Sequence, residues 1–225
     1  MDTFGSPNTV WGMRTAMSLQ HALDCRTGGL RIVQHNEVRD TIAQCMRDAG
    51  HTAVEIEPQL QPLTGEAFDY KSANKEDEAR SDIKCNGFWS NMRQAYFDVK
   101  VVSPFARSNA HLKPAQLFKM AERSKIREYG QRIKEIEHAD FNPLVFTCTG
   151  GMAPQSHLVL KKLAEKLSEK QNIQLSVVSG WLRCRLSFAL LAQRCYVSEQ
   201  LVARKSYARR ISSWLPRRRG TDRIA

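Results

Sequence analysis

AYFDVKVV, residues 95–102, is rich in β-branched and aromatic residues, the composition of a strand buried against other elements. Side chains alternate between the two faces of a strand. One face therefore carries Phe97, Val99 and Val101, and the other carries Tyr96, Asp98, Lys100 and Val102. An acid and a lysine thus share one face of an otherwise apolar strand.

Burial of unpaired charge is costly, so Asp98 and Lys100 must find partners on that face or take part in chemistry. In one interpretation, Asp98 holds a divalent cation, and Lys100 steadies a water molecule and the charge that develops on a phosphate. In the other, Asp82, Asp98 and Lys100 form a cross-strand ion pair on a half-exposed sheet face. The pattern alone leaves both interpretations open.

Length and charge point to one basic domain. The chain has 225 residues, a formal net charge of +11 and a pI of about 9.6, and this length is enough to bury a core. Residues 203–225 carry eight basic side chains against one acid, Asp222. A basic tail on a mildly basic body suits nucleic acid or another polyanion, although a solvated, disordered end has the same composition.

Cysteine usage and hydropathy predict a soluble intracellular protein, nuclear or cytoplasmic. The six cysteines have no disulfide-like spacing, which favours a reducing compartment. The first residues lack the pattern of a signal peptide. Arg183, Arg185 and Arg194 interrupt the apolar run Ile173–Tyr196, which a membrane span would not readily tolerate. No membrane partner is expected.

Periodicity predicts a mixed α/β domain with a central sheet of about four strands flanked by helices. The predicted strands are 52–57, 81–85, 95–102 and 144–149, and the predicted helices are 35–49, 114–138, one beginning at Pro154, and 173–194. An Asn86-Gly87 turn is expected to close the second strand. In the long helix, Phe118, Ile126, Tyr129, Ile133 and Ile136 are the predicted buried stripe.

Several other residues are candidates for function. Glu37, in the first turn of the first helix, is either a carboxylate favoured by the helix dipole or a further acid at a metal site. Lys119 and Arg123 belong to the basic face of the long helix, which is either solvated or binds a phosphate backbone. His21 and Cys25 have the spacing of half a zinc site, but two ligands do not make a structural zinc site.

The order of elements, together with Asp82 and the Asp98-Val99-Lys100 triplet, resembles the PD-(D/E)XK nuclease superfamily. The resemblance covers roughly residues 30–150. It implies a restriction-endonuclease-like core, to which this chain adds C-terminal helices, and hydrolysis of nucleic-acid phosphodiester bonds, with DNA favoured over RNA.

A second resemblance extends over about residues 21–191. Its segments are similar to the carboxy-terminal region of reverse-transcriptase-linked open reading frames of retrotransposons: 21–25 (HALDC), 28–30 (GGL), 35–40 (HNEVRD), 97–101 (FDVKV), 143–146 (PLVF), 150–152 (GGM) and 185–191 (RLSFALL). In those proteins a zinc knuckle precedes the nuclease core, and here only His21 and Cys25 match it.

The resemblance implies specific roles. Asp82, Asp98 and the backbone carbonyl of Val99 would hold Mg²⁺ or Mn²⁺, which prefer oxygen ligands. Lys100 would orient the attacking water, and Glu37 would bind the metal directly or through water. Lys125 and Tyr129 would contact the scissile phosphate.

The expected domain organisation has three parts. Residues 1–27 form a loose segment with a remnant zinc half-site, residues 28–200 form the nuclease domain, and residues 201–225 form a disordered basic tail. A non-catalytic nucleic-acid-binding remnant, in which the acidic site is a relic, is the competing interpretation.

Overall fold

The computed structural model describes residues 30–61 and 79–195. The helices and strands in chain order are α1 (Leu30–Asp48), β1 (Glu55–Ile56), β2 (Ile83–Asn86), β3 (Gln94–Val102), α2 (Pro114–Lys125), a π-helical turn (Ile126–Gly130), α3 (Gln131–Glu135), β4 (Asp140–Thr147), α4 (Pro154–Gln171) and α5 (Leu175–Cys195). This order confirms the predicted α/β class. The predicted segments 1–27 and 201–225, with His21 and Cys25, lie outside the described residues.

The four strands form one mixed sheet in the order β1-β2-β3-β4. β2 runs antiparallel to β1 and β3, while β3 and β4 pair in parallel from Ala95 opposite Asp140 to Val102 opposite Thr147. Pro143 of β4 stands opposite Asp98. Proline has no backbone N–H, and this position is tolerated because β4 is an edge strand of the described sheet.

The two faces of β3 meet different layers. Phe97 and Val99, both fully buried, pack with α1, α4 and α5 in the main apolar core, and Val101 packs at its edge. On the opposite face, Val102 packs with Leu117 of α2, and Tyr96 lies in a small cluster with Ile133. We call these the apolar face (Phe97, Val99, Val101) and the polar face (Tyr96, Asp98, Lys100, Val102). The predicted alternation is confirmed.

Some predicted boundaries are wrong. The strand predicted over 52–57 shrinks to β1, because Ala53 and Glu57 have positive φ angles of 50° and 53°, which interrupt an extended backbone. β2 begins at Ile83, so Asp82 precedes the strand. A seven-residue connection, 87–93, replaces the predicted two-residue turn, and Gly87 bonds back to the carbonyl of Arg93.

The long helix predicted over 114–138 is also divided. The π-helical turn inserts extra backbone after Lys125, which shifts the phase of the side chains that follow. Ile126, predicted to be buried, is half exposed, because nine residues at about 100° each place it opposite the buried Leu117, whereas Ile133 is fully buried. β4 begins at Asp140, four residues earlier than predicted.

The last helix, α5, carries both polar and apolar side chains. Arg185 lies over the ring of Trp181 at 4.8 Å and 3.4 Å from a carboxylate oxygen of Asp48, which ties α5 to α1. Within residues 30–61 and 79–195, no helix is both long and apolar enough to cross a bilayer.

Candidate functional site

Asp98 is the most buried charged group of the polar face. Only 4% of the residue is exposed, and Lys125 Nζ lies 2.9 Å from its Oδ2. Oδ2 is thus ion-paired with Lys125 but makes no hydrogen bond of regular geometry among the described residues. Burial and the charge of Asp82 raise the pKa of Asp98 to about 7. A buried carboxylate with an open acceptor position is unusual and is a candidate ligand for a cation.

Asp82 supplies a hydrogen-bond acceptor to the edge of β3 just beyond the point where its pairing with β2 ends. The β2–β3 ladder begins at the pair Ile83–Phe97, so the next N–H on that edge, from Val99, has no strand partner. Asp82 Oδ2 accepts that N–H at 2.5 Å. The N–H and C=O of one strand residue point to the same edge, so the Val99 carbonyl is directed toward the side where Asp82 lies.

His35 holds the other oxygen of Asp82. Its Nε2 lies 3.0 Å from Asp82 Oδ1. Burial lowers the pKa of His35, but the hydrogen bond and the charges of Asp82 and Asp98 outweigh burial, and the net pKa is raised. Sequence reasoning missed this residue as part of the site. Its only signal was a polar side chain next to the apolar stripe of α1, three residues before Val38.

Lys100 lies on the same face of β3 as Asp98, as the alternation predicts. Its Nζ is 3.5 Å from Ser124 Oγ of α2. Burial, and then the charge of Lys125, lower the pKa of Lys100. The polar face therefore places two ammonium groups and a buried carboxylate within one small volume.

Lys125 and Tyr129 line this volume from the long helix. The Lys125 ammonium lies between Asp98 and Glu128, at 2.9 and 3.4 Å, and 5.1 Å from the centre of the Tyr129 ring. Asp98 and Glu128 outweigh burial and raise the pKa of Lys125. Burial raises the pKa of Tyr129, whose ring packs near Phe141. Lys125 is the last residue of α2 and Tyr129 lies in the π-helical turn that follows, and such turns are frequent at functional sites.

The four residues predicted to bind nucleic acid separate into two groups. Lys125 and Tyr129 face the sheet, whereas Lys119 and Arg123 are exposed on the outer side of α2. Arg127 follows them in the π-helical turn, and all three border a shallow groove that reaches Ser124. We call Lys119, Arg123 and Arg127 the basic ridge.

Glu37 is placed less favourably than Asp82 and Asp98. It lies on α1, two residues after His35, and two positions along a helix correspond to a rotation of about 200°. Glu37 therefore projects away from His35, the α1 side chain that reaches Asp82. The role of Glu37 as a further acid at the metal site stays a prediction, and helix geometry does not support it.

A cleft of about 410 Å³ gives access to the polar face. His35, Val99, Lys100, Lys125 and Glu128 are among its lining residues. The charged side chains of its lining are mainly basic, with Arg31, Lys100 and Lys125 against Glu128, so the cleft can hold an anionic group such as a phosphate.

The fit to a divalent cation rests on Asp82, Asp98 and the Val99 carbonyl. Their oxygens are the ligand type that Mg²⁺ and Mn²⁺ prefer, and a cation would relieve the mutual repulsion of the two carboxylates. Mg²⁺ usually takes one or two carboxylates and keeps several waters. Within the described ranges, no group of three or more His, Cys, Asp and Glu side chains is placed to hold a metal. The fit is therefore to an open, partly hydrated site.

No model of a known protein family matches the chain, and no curated protein is similar enough to count as a relative. Inference about function therefore starts from the residues and their geometry.

Proposed function

We propose that this chain is a metal-dependent endonuclease-like domain of the PD-(D/E)XK type, which hydrolyses phosphodiester bonds of nucleic acid. DNA is the expected substrate. The observation that supports the proposal is that Asp82 accepts the N–H of Val99 and its charge acts on the neighbouring Asp98, while Lys100 shares the polar face with Asp98 and lines a cleft.

Each residue has a stated role in the proposal. Asp82, Asp98 and the Val99 carbonyl would hold Mg²⁺ or Mn²⁺, which supplies Lewis acidity toward a phosphoryl oxygen and lowers the pKa of bound water. Lys100 orients the attacking water and stabilises the charge that builds up on the phosphate. His35 fixes the orientation of the Asp82 carboxylate through its 3.0 Å contact.

The basic ridge supports a polyanionic substrate. The two acids of the same stretch are already engaged, because Glu122 accepts the N–H of Gln155 at 3.1 Å and Glu128 lies beside Lys125. The ridge still carries a net positive charge, because its three basic side chains outnumber Glu122, as expected for a surface that follows a phosphate backbone. An origin in a retrotransposon-type element, and a nuclear or cytoplasmic location, remain part of the proposal.

A non-catalytic nucleic-acid-binding remnant is the second candidate. One observation favours it: Lys125 already balances Asp98, and both oxygens of Asp82 have protein partners. A site that is neutralised by its own side chains needs no metal to be stable. The basic ridge would then be the functional surface.

Metal-dependent nicking of a supercoiled plasmid separates the two candidates. We expect the parent chain to nick with Mg²⁺ or Mn²⁺, Asp98→Ala to be slower by at least about a hundredfold, and Lys100→Ala by at least about tenfold. Asp140→Ala is the matched control, since Asp140 pairs with the exposed Arg93 at the other end of the sheet. If Asp98→Ala nicks as fast as the parent chain, the nuclease assignment is wrong.

A further inference from the structure

Lys125 has two carboxylate partners rather than one. Its ammonium lies 2.9 Å from Asp98, which is deep in the protein, and 3.4 Å from Glu128, which is half exposed at the cleft. Only 17% of the Lys125 side chain is exposed. The Lys125 ammonium can therefore move from the deeply buried Asp98 to the more exposed Glu128 and stay paired with a carboxylate in both positions.

The region around Asp98 needs a positive charge. Asp82 is close enough for its charge to affect Asp98, and Asp98 Oδ2 lacks a hydrogen-bond partner although it is buried. The Lys125 ammonium therefore supplies positive charge at Asp98 Oδ2 without a hydrogen bond of regular geometry to that oxygen. A cation that supplied both the positive charge and a direct bond to Oδ2 would replace the Lys125 ammonium.

The second position for the Lys125 ammonium, beside Glu128, already has groups that attract a cation. Glu128 and the face of the Tyr129 ring, 5.1 Å from Nζ, both attract an ammonium group. Both belong to the same helical turn as Lys125, so the exchange requires a change of side-chain rotamer rather than a movement of α2.

We propose that Lys125 is a built-in counterion of the candidate site, which occupies the cation position beside Asp98 and moves to Glu128 and Tyr129 when a divalent cation binds. This inference rests on the proposed function. It implies that the metal affinity of the site is set by competition with Lys125.

Calorimetric titration with Mn²⁺ tests the competition. Removing the competitor in Lys125→Met is expected to lower the Kd for Mn²⁺ by at least about tenfold. Lys161→Met removes the same charge from an exposed position of α4 and should leave the Kd within about twofold of the parent value, since exposed charges are well screened.

Two results would overturn the inference in distinguishable ways. If Lys125→Met binds Mn²⁺ no more tightly than the parent chain does, Lys125 is not a competitor, and the metal site itself still stands. If neither protein binds Mn²⁺, the proposed metal site is wrong and the inference fails with it.

A second measurement uses the parent chain alone and does not depend on how well the variant folds. Lys125 should react slowly with an amine-acetylating reagent when it is paired with Asp98, and several-fold faster once Mn²⁺ is added. Peptide mass spectrometry measures both rates, with the exposed Lys161 as the internal control. If Mn²⁺ binds but the rate at Lys125 is unchanged, the ammonium has not moved and the proposal is wrong.

Discussion

The two faces of β3 differ in what they contribute. On the apolar face, Phe97 and Val99 are buried among helices α1, α4 and α5 without any charged group between them. On the polar face, burial of Asp98 and Lys100 disfavours the charged form of each side chain. One strand thus carries two kinds of side chain: its apolar side chains stabilise the fold, and this stability compensates for the cost of burying the charged side chains on the other face.

Replacing a side chain on the apolar face should have the largest effect on stability. Phe97 is completely buried and its ring contacts Phe88 edge-on at 4.9 Å. Phe97→Ala is expected to lower the free energy of unfolding by about 3–5 kcal/mol, because it leaves a cavity between the sheet and the helices. Urea unfolding followed by circular dichroism measures the change.

Asp98→Asn, one residue along the strand, is the matched comparison. It keeps the shape of the side chain and removes the repulsion with Asp82, while Lys125 retains Glu128. Its effect on stability should be well below that of Phe97→Ala. If Asp98→Asn lowered the free energy of unfolding as much as Phe97→Ala does, the contrast between the apolar and the polar face of β3 would be wrong.

The pH dependence of stability should sharpen the contrast. Burial and Asp82 raise the pKa of Asp98 to about 7, above the value of about 4 in an unfolded chain. Between these values the native state binds the extra proton, so the stability contributed by Asp98 is present below about pH 4 and is lost as pH rises through about 7. The metal-free parent chain, compared with Asp98→Asn, should lose up to about 1.4 kcal/mol per pH unit in that window.

His51, in the apolar layer, should respond with the opposite sign. Burial, and then the charge of Lys166, lower its pKa to about 4, and the ring stacks on Phe88 at 5.2 Å. The unfolded chain takes up a proton near pH 6.5, so stability from neutral His51 is present above that pH and is lost as pH falls toward about 4. His51→Phe should remove this dependence. Urea unfolding at several pH values would contradict the comparison if both differences sloped the same way.

The smallest predicted effect belongs to the basic ridge. Arg123→Gln should weaken DNA binding a few-fold and make the slope of log affinity against log salt shallower by about one. Lys161→Gln, on α4, is the control with the same loss of charge on an exposed helix. Fluorescence anisotropy over a range of salt concentrations measures both slopes, and equal slopes for the two variants would argue against a specific role of the ridge.

Local patterns were enough to predict the main elements. The alternation in β3, the apolar run in β4 and the proline that begins α4 each carry their information within a few residues. The sidedness of Asp98 and Lys100 follows from the same alternation. These features were predictable because they depend on the strand and helix periods alone.

The contacts that complete the site were not predictable in this way. His35 reaches Asp82 across 47 residues, and Lys125 reaches Asp98 from the last residue of α2, which packs on the polar face of β3. The shortening of β1 depends on two residues with positive φ that the sequence pattern does not mark. Each of these contacts is set by tertiary packing, which overrides local propensity.

The measurement that tests the central claim most directly is a Mn²⁺ titration of the parent chain, Asp82→Asn and Asp98→Asn, with Asp140→Asn as the control. If the polar face of β3 holds a cation, the parent chain and the control bind about one ion each, and both site variants bind it at least about tenfold more weakly. If Asp82→Asn and Asp98→Asn bind Mn²⁺ as tightly as the parent chain, the two carboxylates are not a metal site and the account is wrong.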